Sequence, residues 1–405
     1  MGILAAIGAA AFLSVMSYGT DFIWEWLPAQ VGLTEVPWWW VMLFLLIGAL
    51  LIIAAWRLGE GMGSPLDGFH FDIGPSRALA ALSVAMATLI FGGVLGPEAP
   101  LIVCGTVIGG LVTRNKSPQI QQLGMVLGGM AAIGTILGNP FIAAFMVLEF
   151  AAMGAMPRQI LIPLFMALAS GYLVLTGIGP FAGLGTLDLA VPGLTEVDKL
   201  TFVDLVVGLG VAILAAIAVL VSRQVGYAVQ KMAKARPAPT IIASALAVGA
   251  LAAIVMVVFD QPYFMVPFSG ETAMPTLLAE TSAVAVLAIF VAKALAYGIS
   301  LGGGFRGGPI FPATFVGVGV GVFVGLIITS SPMSALVVTG IAASCAAMLK
   351  LPFSSGMLAL VIGAGAGMVV TPLAIIGAVV GVFLRLAYDK ATHHEATAPA
   401  ATAPA

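Results

Sequence analysis

Two segments of this chain share one pattern of glycines and prolines. The pattern G-P-x-x-P-x4-G-x3-G runs from Gly96 to Gly109 and again from Gly308 to Gly321. The register continues without a gap, since Gly128, Pro140, Phe141 and Leu148 recur as Gly340, Pro352, Phe353 and Leu360. A duplicated unit is the simplest explanation, and it predicts one repeat at about residues 1–180 and a second at about residues 200–390.

The composition places both repeats in a membrane. The chain is 61% hydrophobic and only 8% charged, which is more apolar surface than a water-soluble core of this length could bury. Several apolar segments are shorter than the roughly 20 residues that a perpendicular span needs. Such short segments, broken by Gly and Pro, are tolerated only where the freed backbone is buried in protein or lines a polar cavity. The sequence therefore predicts an all-α polytopic membrane protein with a transport pathway.

The distribution of charge predicts the orientation of the helices. The first loop carries Asp21, Glu25 and Glu35 without Lys or Arg, and residues 188–204 are also acidic, so both are expected outside. Basic residues crowd one connection and follow the last helix, which the positive-inside rule assigns to the cytoplasm: Arg223, Lys231, Lys234, Arg236, Arg385 and Lys390. Both termini are then cytoplasmic, and the low-complexity tail 391–405 is expected to be disordered.

The two copies differ at one informative position, where the first has Glu98 and the second has Ile310. A helix N-terminus presents unpaired N–H groups and the positive end of the dipole, so it favours an anion. Gly96 allows close approach of the backbone, and Pro97 suits a first turn. An ionised Glu98 would plug such a site, and protonation would release it, so one side chain could be both gate and proton carrier.

A simpler interpretation is that Glu98 only complements the dipole of its own helix, which is worth up to about 1 kcal/mol. A lone carboxylate inside a membrane is costly and by default functional. We therefore predict that Glu98 is the gating and proton-carrying residue, with anion-binding backbone at Gly96, Pro97 and Ala99.

The second copy supplies another helix start without a carboxylate, at Gly308, Pro309, Ile310 and Phe311. If the copies face each other, two positive dipole ends converge near the midplane, with Ile310 and Phe311 presenting N–H groups to the ion. A weaker third candidate is G-M-G-S-P at Gly61–Pro65. Its Ser64 could offer a hydroxyl and an N–H, or could simply cap a helix.

These motifs resemble those of the CLC family of chloride channels and proton-coupled anion antiporters. Gly96–Pro100 looks like the family's G-[KR]-E-G-P, and Gly308–Pro312 is similar to its G-x-F-x-P. Gly61–Pro65 is similar to G-S-G-I-P, and Phe290–Lys293 resembles F-V-A-R. In order and spacing the resemblance covers most of residues 1–388.

The resemblance implies a compact prokaryotic type without CBS domains, in a bacterial inner membrane. Residues 1–390 would form a single domain, an inverted repeat of many tilted, partly spanning helices. The resemblance further implies a homodimer with one anion pathway in each subunit, and it identifies Glu98 with the gating glutamate.

Departures from the family pattern leave the ion and the coupling open. Met62 stands where G-S-G-I-P has serine, so the hydroxyl of a possible inner site at Met62, Gly63 and Ser64 comes from Ser64 or is absent. Phe150 stands where antiporters carry an inner proton-transfer glutamate, with Glu149 one residue before it. One residue is a rotation of about 100° on a helix. Glu149 therefore belongs either to a proton path or to a structural salt bridge or cap.

We therefore predict transport of an inorganic anion of the chloride type, with fluoride/proton antiport as the alternative and channel versus exchanger undecided. An intramembrane enzyme is a remote alternative, because the apolar segments contain no H-E-x-x-H motif and no paired aspartates. No cofactor, metal site or nucleic-acid partner is predicted. Cys104 and Cys345 both lie in apolar segments, where free Cys behaves as a small hydrophobe.

Overall fold

The computed structural model describes residues 1–56, 64–68, 71, 73, 75–153, 160–178 and 189–392. These residues form helices and no β-strand, apart from one isolated antiparallel bridge between Gly96 and Gly308. The predicted all-α class is confirmed.

The first half of the chain contains eight α-helices among the described residues. They are α1 (Gly2–Asp21), α2 (Leu27–Gln30), α3 (Trp38–Ala55), α4 (Pro75–Ile90), α5 (Glu98–Val112), α6 (Pro118–Ile136), α7 (Pro140–Ala152) and α8 (Leu161–Ile178). A π-helical turn (Phe22–Trp26) joins α1 to α2, and a 3-10 turn (Pro65–Asp67) precedes α4.

The second half contains eight more. They are α9 (Phe202–Ala235), α10 (Pro237–Phe259), α11 (Met274–Ala279), α12 (Ala283–Gly302), α13 (Ile310–Ile327), α14 (Met333–Leu349), α15 (Pro352–Ile362) and α16 (Thr371–Thr392). Short 3-10 turns lie at Tyr263–Met265, Ala364–Ala366 and Met368–Val370.

Seven helical stretches in the described part of the chain are long and apolar enough to cross a membrane. Others are too short, as the sequence predicted: α5 has 15 residues, α7 has 13 and α15 has 11. Both α5 and α13 follow a non-helical connection and begin inside the protein, where their first residues are buried. Broken helices of this kind bring backbone N–H groups into the protein interior.

The repeated glycines make the same contact in both halves. A Cβ on Gly105 of α5 would overlap the carbonyl of Gly128 on α6, and a Cβ on Gly317 of α13 would overlap the carbonyl of Gly340 on α14. Helix backbones approach this closely in membranes where small residues remove the side-chain barrier. Part of the glycine pattern is therefore explained by packing.

Two predicted boundaries are wrong. Asp21 and Glu25 do not lie in a loop, because helix continues from α1 through the π-helical turn into α2. No proline interrupts residues 20–27, and the chain turns only near Gly32, which has a φ of 78°. At the other end α16 extends to Thr392, whose hydroxyl donates to the carbonyl of Tyr388 (2.9 Å). Residues 393–405 of the predicted disordered tail lie outside the described residues.

We expect Gly317→Ala to destabilise the protein, because the added methyl group would push apart α13 and α14. Overpacking of this kind costs about 1–3 kcal/mol. Thermal unfolding of the detergent-solubilised protein should occur at a lower midpoint temperature. Gly210→Ala on α9 is the matched control, since a Cβ there meets no atom within 4 Å. An equal midpoint for the two variants would contradict the packing role.

Candidate functional site

The two copies of the glycine–proline pattern meet in the structure. Gly96 N–H donates to the carbonyl of Gly308 (2.8 Å), and Gly308 N–H donates to the carbonyl of Gly96 (2.5 Å). Pro97 and Pro309 follow as the N-cap residues of α5 and α13. The N-termini of helices from the two halves are therefore held next to each other by backbone hydrogen bonds.

Glu98 lies at this junction and is fully buried. Its Oε1 accepts a hydrogen bond from the N–H of Phe311 in the first turn of α13 (2.8 Å). Its Oε2 is buried and has no hydrogen-bond partner among the described residues. The carboxylate thus occupies the N-terminus of a helix in the other half, the kind of position that favours an anion.

Two glycines leave room for this carboxylate. A Cβ added to Gly96 or to Gly308 would overlap the carboxyl group of Glu98. The sequence predicted close approach at Gly96, and the approaching group in the structure is the side chain of Glu98. Ala99 is placed differently, because its side chain packs against a small cluster that includes Ile73 and Val103.

A buried tyrosine that sequence reasoning missed supports the start of α13. The hydroxyl of Tyr297 on α12 donates to the carbonyl of Pro309 (2.8 Å), and its side chain is fully buried. One turn into α13, the Thr314 hydroxyl donates to the carbonyl of Ile310 (3.0 Å) and lies 3.2 Å from the sulfur of Cys345. The available signal was a polar aromatic residue inside an apolar segment, which has to satisfy its hydroxyl when buried.

The third candidate segment is only partly described, since Met62 and Gly63 lie outside the described residues. Ser64 forms a capping box on the following 3-10 turn. Its Oγ accepts from Leu66 N–H (3.3 Å), and its own N–H donates to the Asp67 carboxylate (3.2 Å). The hydroxyl therefore acts as a cap, one of the two roles that the sequence allowed.

Glu149 lies at another helix start, that of α15. Its Oε1 accepts from Phe353 N–H (2.7 Å), and its Oε2 accepts from Ser354 N–H (3.0 Å) and from the Ser354 hydroxyl. This is the capping arrangement, formed across the two halves of the chain. The alternative role of Glu149 in a proton path stays a prediction.

Comparison with known proteins finds relatives that cover most of the chain. The sequence model of a family described as "Voltage gated chloride channel" matches residues 59–362. A protein of Escherichia coli (strain UMN026) named "Putative ion-transport protein YfeO" is 26% identical over 333 residues, covering 79% of this chain and 76% of the relative. The protein of the same name from Escherichia fergusonii is 27% identical over the same shares.

Two solved structures share the fold along nearly the whole chain. A slow cyanobacterial Cl⁻/H⁺ antiporter has a TM-score of 0.76 and 16% identity, covering 97% of this chain and 95% of that chain. A CLC-type fluoride/proton antiporter has a TM-score of 0.73 and 19% identity, covering 96% and 93%. The predicted CLC-like membrane fold is confirmed.

We expect Glu149→Gln to destabilise the fold, because the charge-assisted hydrogen bonds at the start of α15 would become neutral ones. Hydrogen bonds to charged groups contribute about 1.5–3 kcal/mol, against about 0.5–1.5 kcal/mol for neutral ones. The thermal midpoint in detergent should fall. It should stay unchanged in Glu196→Gln, which changes an exposed residue. If both variants have the thermal midpoint of the wild type, the cap contributes nothing to stability.

Proposed function

Because this chain belongs to the voltage gated chloride channel family, we propose that it carries an inorganic anion of the chloride type and that Glu98 gates the pathway. The protein is an integral, multi-pass membrane protein of the CLC anion-transport type. The gate and the choice of ion go beyond the family assignment, and the geometry around Glu98 supports the gate.

One observation carries the gate assignment. The hydrogen bond from Phe311 N–H to Glu98 Oε1, at 2.8 Å, puts a carboxylate on a backbone donor that would suit a dehydrated anion. A permeant anion and the ionised carboxylate then compete for the same helix N-terminus. Protonation removes the negative charge of Glu98, weakens its attraction to the dipole of α13 and frees the position.

Whether the protonated side chain also carries its proton across depends on an inner acceptor. We assign Glu149 as the candidate, since it lies beside Phe150, the position at which the family's antiporters carry their inner glutamate. Without such an acceptor Glu98 would gate a passive pathway, so the measurement of proton flux separates exchanger from channel.

Fluoride/proton antiport is the second candidate. The sequence has Met62 where the family's G-S-G-I-P motif has serine, and Ser64 uses its hydroxyl as a cap. The Ser64 Oγ accepts the capping bond and keeps its own O–H to donate, so a hydroxyl for an inner anion would come from Ser64 and not from the motif's usual position. This departure from the chloride-type pattern favours a test of both ions.

We further propose a bacterial inner-membrane location with both termini in the cytoplasm. Lys231, Lys234 and Arg236 lie together where α9 ends, on the side that the positive-inside rule makes cytoplasmic. We also propose a homodimer with one pathway in each subunit, which membership of the family implies.

We expect Glu98→Gln to abolish the pH dependence of anion flux, and any coupled proton flux, because a neutral amide neither binds nor releases a proton. The measurement is flux from proteoliposomes across a series of pH values. Glu196→Gln, which removes an exposed carboxylate, should retain the wild-type profile. Flux from Glu98→Gln that still responds to pH as the wild type does would remove the gate assignment.

The ion is identified by reconstitution with chloride-, fluoride- and proton-sensing electrodes in parallel. We expect chloride efflux from the wild type. Efflux dominated by fluoride and coupled to proton uptake would replace the first candidate with the second. Chloride flux without proton movement would indicate a channel.

A further inference from the structure

The connection between α10 and α12, residues 260–282 (here the outer loop), contacts both segments that form the junction at Glu98. It lies at the end of α10 opposite to the basic α9–α10 connection. Phe268 N–H donates to the carbonyl of Gly92, just before the Gly96 turn (3.2 Å). The outer loop is thus tied to the segment that leads into α5.

A buried lysine on α12 donates hydrogen bonds to the backbone of this loop. Lys293 on α12 is fully buried, and its Nζ donates to the carbonyls of Pro267 (2.7 Å) and Phe268 (3.0 Å). The same ammonium group lies 4.8 Å from the centre of the Phe315 ring on α13. A charge with three such contacts fixes the loop against both helices.

The loop also packs directly on α13. Gly270 has a φ of 90°, and a Cβ there would lie 2.7 Å from the Phe315 ring. Phe315 is one turn beyond Phe311, the residue whose N–H binds Glu98. The residue after Gly270 therefore enters the structure beside the first turns of α13.

That residue is Glu271, a carboxylate with unusual surroundings. Its side chain is only partly exposed, and its carboxylate has no hydrogen bond or ion pair within the described part of the chain. Glu271 follows Gly270, which packs on Phe315 one turn beyond the Phe311 N–H that binds Glu98, and a negative charge on Glu271 disfavours a second one on Glu98. Loss of hydration raises the pKa of Glu271 to about 7. Glu98 itself is fully enclosed and needs a route for its proton.

We propose that Glu271 is the outer proton relay for Glu98, an inference that rests on the gate role of Glu98. The O–H bond of protonated Glu98 breaks as an O–H bond forms on the Glu271 carboxylate, directly or through one water molecule. Glu98 is left anionic and Glu271 neutral, and Glu271 then passes the proton to outside water. Two carboxylates that repel each other favour sharing a single proton, so the pair titrates as a unit.

The other charged and titratable groups around Glu271 are few. Helix α11, helix α13 and the segment 91–97 contain no charged residue. On α12 Lys293 is committed to the loop carbonyls, and Tyr297 to Pro309. On the loop itself the Glu280 carboxylate accepts hydrogen bonds from Gln261 and from the backbone of Thr281 and Ser282, and Asp260 and Tyr263 lie near its start.

The test compares anion flux as a function of external pH in proteoliposomes. Glu271→Gln should move the midpoint to lower pH by about one unit, because no neighbouring negative charge then favours protonation of Glu98. After an external pH jump, the change in flux should relax on the order of 100-fold more slowly, since the relay is lost. Glu35→Gln removes an exposed carboxylate and should change neither quantity.

Two further variants distinguish the possible outcomes. In a Glu98→Gln background, Glu271→Gln should have no additional effect on the pH profile. If Glu98→Gln abolishes the pH dependence but Glu271→Gln keeps both midpoint and relaxation, the relay is wrong and the gate stands. If Glu98→Gln keeps the dependence, the gate itself fails.

Should Glu271→Gln fail to elute as a monodisperse protein, Glu271→Asp supplies the same test. It retains the charge, so the midpoint should stay, and it shortens the side chain, so the relaxation should slow. An unchanged relaxation in Glu271→Asp would overturn the relay.

Discussion

Two backbone hydrogen bonds, exchanged between Gly96 and Gly308, determine where α5 and α13 begin at the centre of this protein. Inside a membrane, a chain that leaves its helix must find protein partners for its peptide groups. Here each broken segment satisfies the other. The result is that α5 and α13 begin side by side, with their positive dipole ends in one enclosed place. Without Cβ atoms on either glycine, enough space remains for a single carboxyl group.

The parts of this arrangement that sequence predicted are those with a local signal. Glycine and proline mark a broken helix wherever they occur in an apolar segment, and the pairing of Glu98 with Ile310 singled out one carboxylate. Tyr297 and Lys293 are polar residues inside one apolar segment, a signal that predicts a buried hydrogen bond but not its partner. Their partners are backbone carbonyls outside the helices, brought to them by the packing of α12 and α13. Because a loop carbonyl belongs to every residue type, no pattern identifies it in advance.

The partners of Glu149 could not be predicted from the sequence either. Its position one residue before Phe150 left a cap and a proton path open, because a rotation of about 100° changes what a side chain faces. Its observed contacts are with Phe353 and Ser354, about two hundred residues away. The repeat register relates Pro352 to Pro140, the first residue of Glu149's own helix, but it does not say which carboxylate meets which helix start.

Glu98 and Glu149 each place a carboxylate on the N-terminus of a helix in the other half, yet they are held very differently. Glu149 accepts three hydrogen bonds, two of them from backbone N–H groups. Glu98 has one hydrogen bond, from Phe311, and its Oε2 has no partner among the described residues. If each such bond to a charged group contributes about 1.5–3 kcal/mol, withdrawing Glu149 costs several kcal/mol more than withdrawing Glu98. The weakly held carboxylate is therefore the one suited to yield its place to an ion, and the strongly held one is suited to fix the fold.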